Sequence, residues 1–353
     1  MTFYKFLLII CLSFISCTDQ NRQEDNFSPE MIKAVDLSFL PEAQSENAIY
    51  NYNSQLCDPL KLLKTKGCNY VRIRLWHNPT NEHSSFDEVK SLCKRVREAK
   101  MGVWLTVHYS DTWADPGHQS TPSAWSGLSF QELKIQVTHY TTQIMRELRP
   151  DIIQIGNEIN SGFLHPHGHL MQNEIQCIEL LQTAIHVVNQ ERRATKVMIH
   201  YAGLNGSSWF FNKMQTLNYD FIGISYYPIW HGQSLDLLNE TITNLGNTFQ
   251  RPVIIAETSY PFTLGWNDWT NNVVGLPEHL IPGFPASPQG QKDYLLTIKN
   301  IVANNSHASG FAYWGAEWIA FRGPQATNGS SWENQTFWDF QGNALPILDI
   351  FQN

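Results

Sequence analysis

Apolar and polar positions along this chain keep two rhythms. Short runs rich in valine, isoleucine, tyrosine and tryptophan alternate with longer stretches in which apolar residues recur at helical spacing. The short runs predict strands at residues 33–38, 69–76, 102–109, 151–158, 195–201, 220–227, 252–258 and 310–314. Several are apolar almost throughout, as expected of parallel strands covered on both faces. Between them, Ser85 with Glu88 and Ser129 with Glu132 have the spacing of capping boxes at helix starts. Gly67 and Gly102 stand where helices should stop, and Thr138, Ile144 and Leu148 follow a helix-like pattern that Pro150 ends. Alternation repeated eight times in a chain of this length favours a closed α/β barrel, the (β/α)8 TIM barrel, over an open sheet. No internal sequence repeat accompanies it.

The first residues stand outside this pattern. Lys5 precedes an apolar run, residues 6–14, too short to be a permanent membrane span. Ile15-Ser16-Cys17 and the polar stretch 18–26 then resemble a bacterial lipoprotein signal, with Cys17 as the lipid-bearing residue. An ordinary secretory signal cleaved nearby is the alternative, and both imply export. The expected division is a signal segment 1–17, a tether 18–26 and one barrel domain 27–353. An anchored position at the outer membrane or cell surface follows from the lipid, and a periplasmic or secreted one from simple cleavage. No Pro/Gly/Ser linker, charge run or low-complexity stretch divides the domain, and a monomer is expected.

Composition narrows the function. A net charge of -8 and the lack of a basic cluster argue against nucleic acid as a partner. Cys57, Cys68, Cys93 and Cys177 have no metal-type spacing. Export permits a disulfide among them, and buried free thiols fit as well. Many tryptophans, including Trp76, Trp113, Trp230, Trp314 and Trp318, follow predicted strands, where loop aromatics serve a ligand surface.

Two carboxylates draw the eye within this frame. Glu158 and Glu257 each close a buried apolar run, and on parallel strands both would converge on one end of the barrel. Hydrolysis of a glycosidic bond needs such a pair, one protonated and one ionised. Arg74, at the end of the second strand, is the expected cation beside Glu257, which makes Glu257 the nucleophile and Glu158 the proton donor. Asn157 can donate to a sugar hydroxyl near the reacting carbon.

The runs Val71-Arg72-Ile73-Arg74-Leu75-Trp76-His77-Asn78-Pro79, His108-Tyr109-Ser110-Asp111-Thr112-Trp113-Ala114-Asp115-Pro116-Gly117, Gln154-Ile155-Gly156-Asn157-Glu158-Ile159-Asn160, Ile224-Ser225-Tyr226-Tyr227-Pro228 and Glu257-Thr258-Ser259-Tyr260-Pro261 resemble the motifs of glycoside hydrolase family 53, the endo-β-1,4-galactanases. The resemblance implies a barrel with acid/base and nucleophile on strands four and seven. It implies a retaining attack on β-1,4-galactan, the side chain of pectin, with no cofactor required for the chemistry. With strand-end placement it suggests that Asp36, His108 and Asp111 grip sugar hydroxyls, that Tyr226 or Tyr227 holds Glu257, and that Trp314 and Trp113 stack on galactose rings. His165 is a departure, because the corresponding family segment often carries tryptophan there. Some bacterial members bind calcium after the seventh strand; here Asp268 and Asn272 mark that place, with further ligands needed from elsewhere, such as residues 328–333. His165, His167 and His169 alternate with Pro166 and Gly168 in a loop without fixed ligand geometry, so a solvated or substrate-contacting loop is expected there instead of a transition-metal site.

Two other readings compete. A non-catalytic glycan-binding lipoprotein would use the tryptophans but has no use for two opposed carboxylates. The same barrel acting on mannan, xylan or glucan shares the catalytic pair, since fold and mechanism do not fix the sugar.

Overall fold

The alternation inside each apolar run becomes two faces once the strands pair. The computed structural model describes residues 30–352, so the expected leader and tether, residues 1–26, lie outside the described residues. Eight parallel strands close a barrel: β1 (Ile32–Asp36), β2 (Tyr70–Leu75), β3 (Gly102–Val107), β4 (Ile152–Ile155), β5 (Lys196–Ala202), β6 (Phe221–Ser225), β7 (Val253–Thr258) and β8 (Ala308–Tyr313). They are adjacent in chain order, and β8 returns to β1 with Ile32 opposite Gly310. A Cβ on Gly310 would stand 2.4 Å from the Ile32 carbonyl oxygen, so glycine lets this closing pair approach. The expected (β/α)8 barrel is the fold.

The larger disagreements with the expected strands fall at their carboxyl ends. The first, third, fourth and sixth stop at Asp36, Val107, Ile155 and Ser225, two or three residues early. In the third and fourth the cause is local: Tyr109, Gly156 and Glu158 have φ of 51°, 76° and 47°, a left-handed backbone that no strand continues through. A two-residue hairpin, Asn51–Tyr52 with Gln55–Leu56, was not expected.

Helices separate most of the strands. The helix Phe130–Glu147 starts on a complete capping box, in which Ser129 accepts from the Glu132 amide and Glu132 accepts from the Ser129 amide at 2.8 Å. The helix Phe86–Glu98 has half of one. Ser85 accepts from the Glu88 amide, but the Glu88 carboxylate turns to the Ser84 amide at 2.6 Å and His83 Nδ1 at 2.8 Å. Gly67, at φ 101°, ends the helix Pro59–Lys66. Among the described residues no helix is long and apolar enough to cross a membrane. Cys57, Cys68, Cys93 and Cys177 are free thiols.

The outward face of the strands, with residues such as Val71, Val103, Ile153 and Ile255, packs against the helices in one large core. The inward face forms a second cluster, with Trp104, Ile152, Met198 and Ile254 at its centre. Nearer the carboxyl ends that lumen turns polar, with buried Arg72, Thr106, Gln154, His200 and Ser225. Polar groups in such a place need partners, and the partners they find make the site.

Candidate active site

Strand β7 carries an extra residue near its carboxyl end, and this can be read from both neighbours. Against β6, Ile224 pairs with Ile255 but the next residue, Ser225, pairs with Glu257. Against β8, Phe311 pairs with Ile255 but Tyr313 pairs with Thr258. Ile254 and Ala256 belong to the inner cluster, so strict alternation would aim Glu257 outward at the helices. The bulge re-aims it into the barrel mouth.

There Arg72 meets it. The Arg72 guanidinium donates from Nη2 to Glu257 Oε1 at 2.6 Å, from Nη1 to Asp36 Oδ2 at 2.6 Å and from Nη2 to Asn157 Oδ1 at 2.8 Å. The expected cation, Arg74, is not the partner of Glu257. It lies two residues further along the same strand face and donates from Nε to Ser84 Oγ at 3.0 Å. Its guanidinium packs against Trp113, Trp76 and Phe39 at 4.1, 4.4 and 4.5 Å from the ring centroids. Burial without a carboxylate partner lowers its pKa to about 10. Both arginines were visible in the sequence, but placement by strand end alone favoured the wrong one: the cation sits one layer deeper.

Glu158 stands past the end of β4 in the left-handed conformation noted above. Its Oε1 accepts from Ser225 Oγ at 2.6 Å. One carboxylate oxygen of Glu158 and one of Glu257 lie within 4.8 Å of each other, and a ring nitrogen of His200 lies within the same distance of both. Two carboxylates and an imidazole could hold a metal by type. Here both ring nitrogens are engaged, Nδ1 with Gln154 Nε2 at 2.9 Å and Nε2 with Ser225 Oγ at 2.9 Å, so His200 belongs to a hydrogen-bond network.

The electrostatics separate the pair. Burial, then the charge of Glu257, pushes the Glu158 carboxyl up to about 8. Burial raises Glu257 as well, but the Arg72 cation and the Tyr227 hydroxyl oppose it. The negative charge therefore settles on Glu257, beside its cation.

The remaining expected residues divide. Tyr227 is the tyrosine on Glu257, donating from its hydroxyl to Oε2 at 2.8 Å, whereas Tyr226 donates to the Gly232 carbonyl at 2.9 Å. Asp36, 1% exposed, is an anchor for Arg72 and also accepts from the Ser38 amide and hydroxyl; it does not line the cavity. Asp111 likewise organises a loop, accepting from the Asn78 and Ser123 amides and the Ser123 hydroxyl. The expectation that Asp36 and Asp111 grip a sugar is corrected accordingly. His108 does line the cavity, with Nδ1 accepting from Trp76 Nε1 and the Ala114 amide.

The cavity at this barrel mouth measures about 360 Å³ and takes in Glu158, Glu257, Asn157 and Tyr227. Trp113, Trp314, Trp318, Trp230 and Trp332 supply its aromatic walls. Trp332 escaped sequence reading because it lies far from any strand end. Gln154, His200 and Ser225 escaped for another reason: a polar residue inside an apolar run is a signal, but it does not say which partner it faces. The histidine loop is structural in its contacts. His167 bonds Gln176 Oε1 and the Leu128 carbonyl at 3.1 Å, and His165 bonds the Ser161 carbonyl at 3.1 Å and stacks on His169.

After β7, Asp268 Oδ2, Asn272 Oδ1 and Glu333 Oε2 are buried without hydrogen-bond partners. Gly329 closes over Asp268, where a Cβ would stand 2.2 Å from Oδ2. Three orphaned oxygens, two from carboxylates, are the donor type that a hard cation takes.

A buried Glu257 and a half-buried Glu158 at the carboxyl ends of β7 and β4, in an aromatic cleft, place the molecule among the (β/α)8 glycosidases. The model of glycosyl hydrolase family 53 matches residues 32–351. The chain belongs to that family. An arabinogalactan endo-β-1,4-galactanase of Cellvibrio japonicus is 36% identical over 338 residues, covering 90% of this chain and 89% of the relative. An endo-β-1,4-galactanase of Bacillus subtilis is 28% identical over 94% of this chain and 87% of its own length. Among solved structures, a family 53 catalytic domain of Ignisphaera aggregans superposes with a TM-score of 0.86 at 33% identity, over 91% of this chain and 95% of that one.

Removing Arg72 leaves Asp36 and Glu257 as buried carboxylates without their cation. Arg72→Met is expected to cost about 3–5 kcal/mol of unfolding free energy at pH 7, the range for breaking a buried pair. The cost should shrink at pH 4.5 as the stranded carboxylates protonate. Urea denaturation at the two pH values checks this, and an equal cost at both would contradict it.

Proposed function

We propose that this glycosidase is an endo-β-1,4-galactanase working by double displacement with retention. The observation that carries the mechanism is the approach of the two carboxylates to within 4.8 Å, near the roughly 5–5.5 Å of retaining enzymes and short of the roughly 6.5–9.5 Å that leaves room for an inverting water. The substrate rests on the galactanase names of the relatives in Cellvibrio japonicus and Bacillus subtilis.

In the first step Glu257 attacks the anomeric carbon while Glu158 gives its proton to the departing sugar oxygen, so that a glycosyl ester forms as the glycosidic bond breaks. In the second, Glu158, now ionised, takes a proton from water. The resulting hydroxyl bonds to the anomeric carbon and Glu257 leaves as carboxylate. Asn157 bonds Ala114 with one amide hydrogen and keeps the other for a sugar hydroxyl, and the His108 ring faces the same space. Trp314 and Trp113 stack on galactose rings.

Glu158 must enter protonated, so kcat/KM falls as pH rises through about 8 and the alkaline limb lies near that value. Glu158→Ala should lose about 10²–10⁴-fold on linear galactan, and Glu257→Ala at least as much. The parent should release reducing ends from galactan faster than from mannan, xylan or cellulose, with the β anomer appearing first by proton NMR. An α anomer would sink retention, and galactan as the poorest polymer would sink the substrate.

Calcium at Asp268, Asn272 and Glu333 is part of the same reading, as an ion that ties the loop after β7 to the stretch containing Glu333. A chelator should lower Tm, calcium should restore it, and the response should vanish in Asp268→Ala. An unchanged Tm ends that proposal.

Export with a lipid on Cys17 completes it. Cys17→Ser should move the protein from the membrane fraction to the soluble fraction of the cells that express it; unchanged fractionation would exclude the anchor.

A further inference from the structure

Four donors between the two carboxylates all point the same way. Arg72, which holds Glu257, donates from Nε to Gln154 Oε1 at 3.4 Å. Gln154 carries its acceptor and donor on one amide, and its Nε2 reaches His200 Nδ1 at 2.9 Å. Gln154 Nε2 also faces the Gly156 carbonyl and Asn157 Oδ1 at 3.1 Å, so the donor that settles the tautomer is the Glu158 backbone amide, which points at His200 Nδ1 at 3.3 Å and makes it the unprotonated nitrogen. The ring proton is left on Nε2, facing Ser225 Oγ at 2.9 Å. A serine hydroxyl that accepts from a ring N–H turns its own hydrogen elsewhere, and the available acceptor is Glu158 Oε1 at 2.6 Å.

We propose that Gln154, His200 and Ser225 form a positioning relay, in which the neutral His200 ring fixes the Ser225 hydroxyl as a permanent donor to Glu158 and so favours the ionised form that the second step of the reaction requires. The proposal rests on the acid/base role given to Glu158. Its geometry is independent of substrate.

The ring suits a fixed relay. His200 is wholly buried, and burial, then the Arg72 cation, holds its pKa well below the usual histidine range, so its polarity does not reverse during turnover. The same Nδ1 also takes up the Glu158 amide, so one imidazole steadies both the backbone and, through Ser225, the side chain of the acid/base. The charged and titratable groups that face Glu158 are Glu257 from β7, Arg72 from β2, Asp115 from the loop after β3 and Tyr227 just beyond β6. The neutral His200 of β5 is present alongside them. Glu257 and Asp115 push the Glu158 carboxyl toward protonation, and the Ser225 donor opposes them.

The test follows the Glu158 carboxyl by 13C NMR in protein labelled at glutamate Cδ, with the resonance assigned by its loss in Glu158→Gln. This needs no turnover. Ser225→Ala should raise the Glu158 midpoint by about half a pH unit or more, the effect of losing one hydrogen bond to the charged form, and Ser225→Thr should return it toward the parent. Where galactan is cleaved, the alkaline limb of kcat/KM should move up by the same amount. His200→Leu should shift the midpoint in the same direction, yet add nothing when combined with Ser225→Ala. A midpoint unmoved in Ser225→Ala, or an additive double variant, overturns the relay. A parent inactive on every polysaccharide with a midpoint that still shifts would count against the proposed function and leave the relay standing.

Discussion

A buried guanidinium with five acceptors within 3.5 Å organises the mouth of this barrel. Charge inside a protein is costly unless it is paired and fully hydrogen-bonded, and Arg72 meets that condition by gathering Asp36 from β1, Asn157 from the turn after β4 and Glu257 from β7. Three elements far apart in sequence are held in register by one planar fork, whose fixed donor directions suit carboxylates as a flexible ammonium would not. The asymmetry of the site follows from the same contact. Glu257 has the cation and stays charged; Glu158 sits half-buried beside that charge and holds its proton.

The aromatic surroundings serve the polar centre as well as the ligand. Arg74 forms no ion pair among the described residues and packs against the faces of Trp113, Trp76 and Phe39. Trp318 stacks on Phe39 with ring centroids 3.7 Å apart, and Trp314 meets Trp332 edge-on at 4.7 Å. The walls therefore brace one another before any sugar arrives, which limits the ordering cost of binding.

Much of this was legible in the chain. Short β-rich runs separated by helical stretches are enough to count strands, and the two glutamates could be placed at the barrel mouth because each ends such a run. What the pattern could not carry was depth and direction. Arg72 and Arg74 share one strand face, and only the closed barrel shows that the inner one reaches Glu257. Asp36 and Asp111 were assigned to the ligand because acids at strand ends often serve one, yet the structure commits them to Arg72 and to the Ser123 turn. His200 and Ser225 were hidden for a simpler reason: they come from different strands, and nothing local to either residue announces the other.

The extra residue in β7 has a consequence for how the site tolerates change. Because Glu257 in this sequence owes its inward aim to an added backbone unit, its orientation depends on the bulge that follows Ile255. Side chains along β7 can be exchanged for others of similar volume with the carboxylate still in place. Loss of the added residue would leave Ile254 and Glu257 two positions apart and on the same side by plain alternation, so a deletion would keep the carboxylate on the inner face and remove only the local bend that the bulge adds.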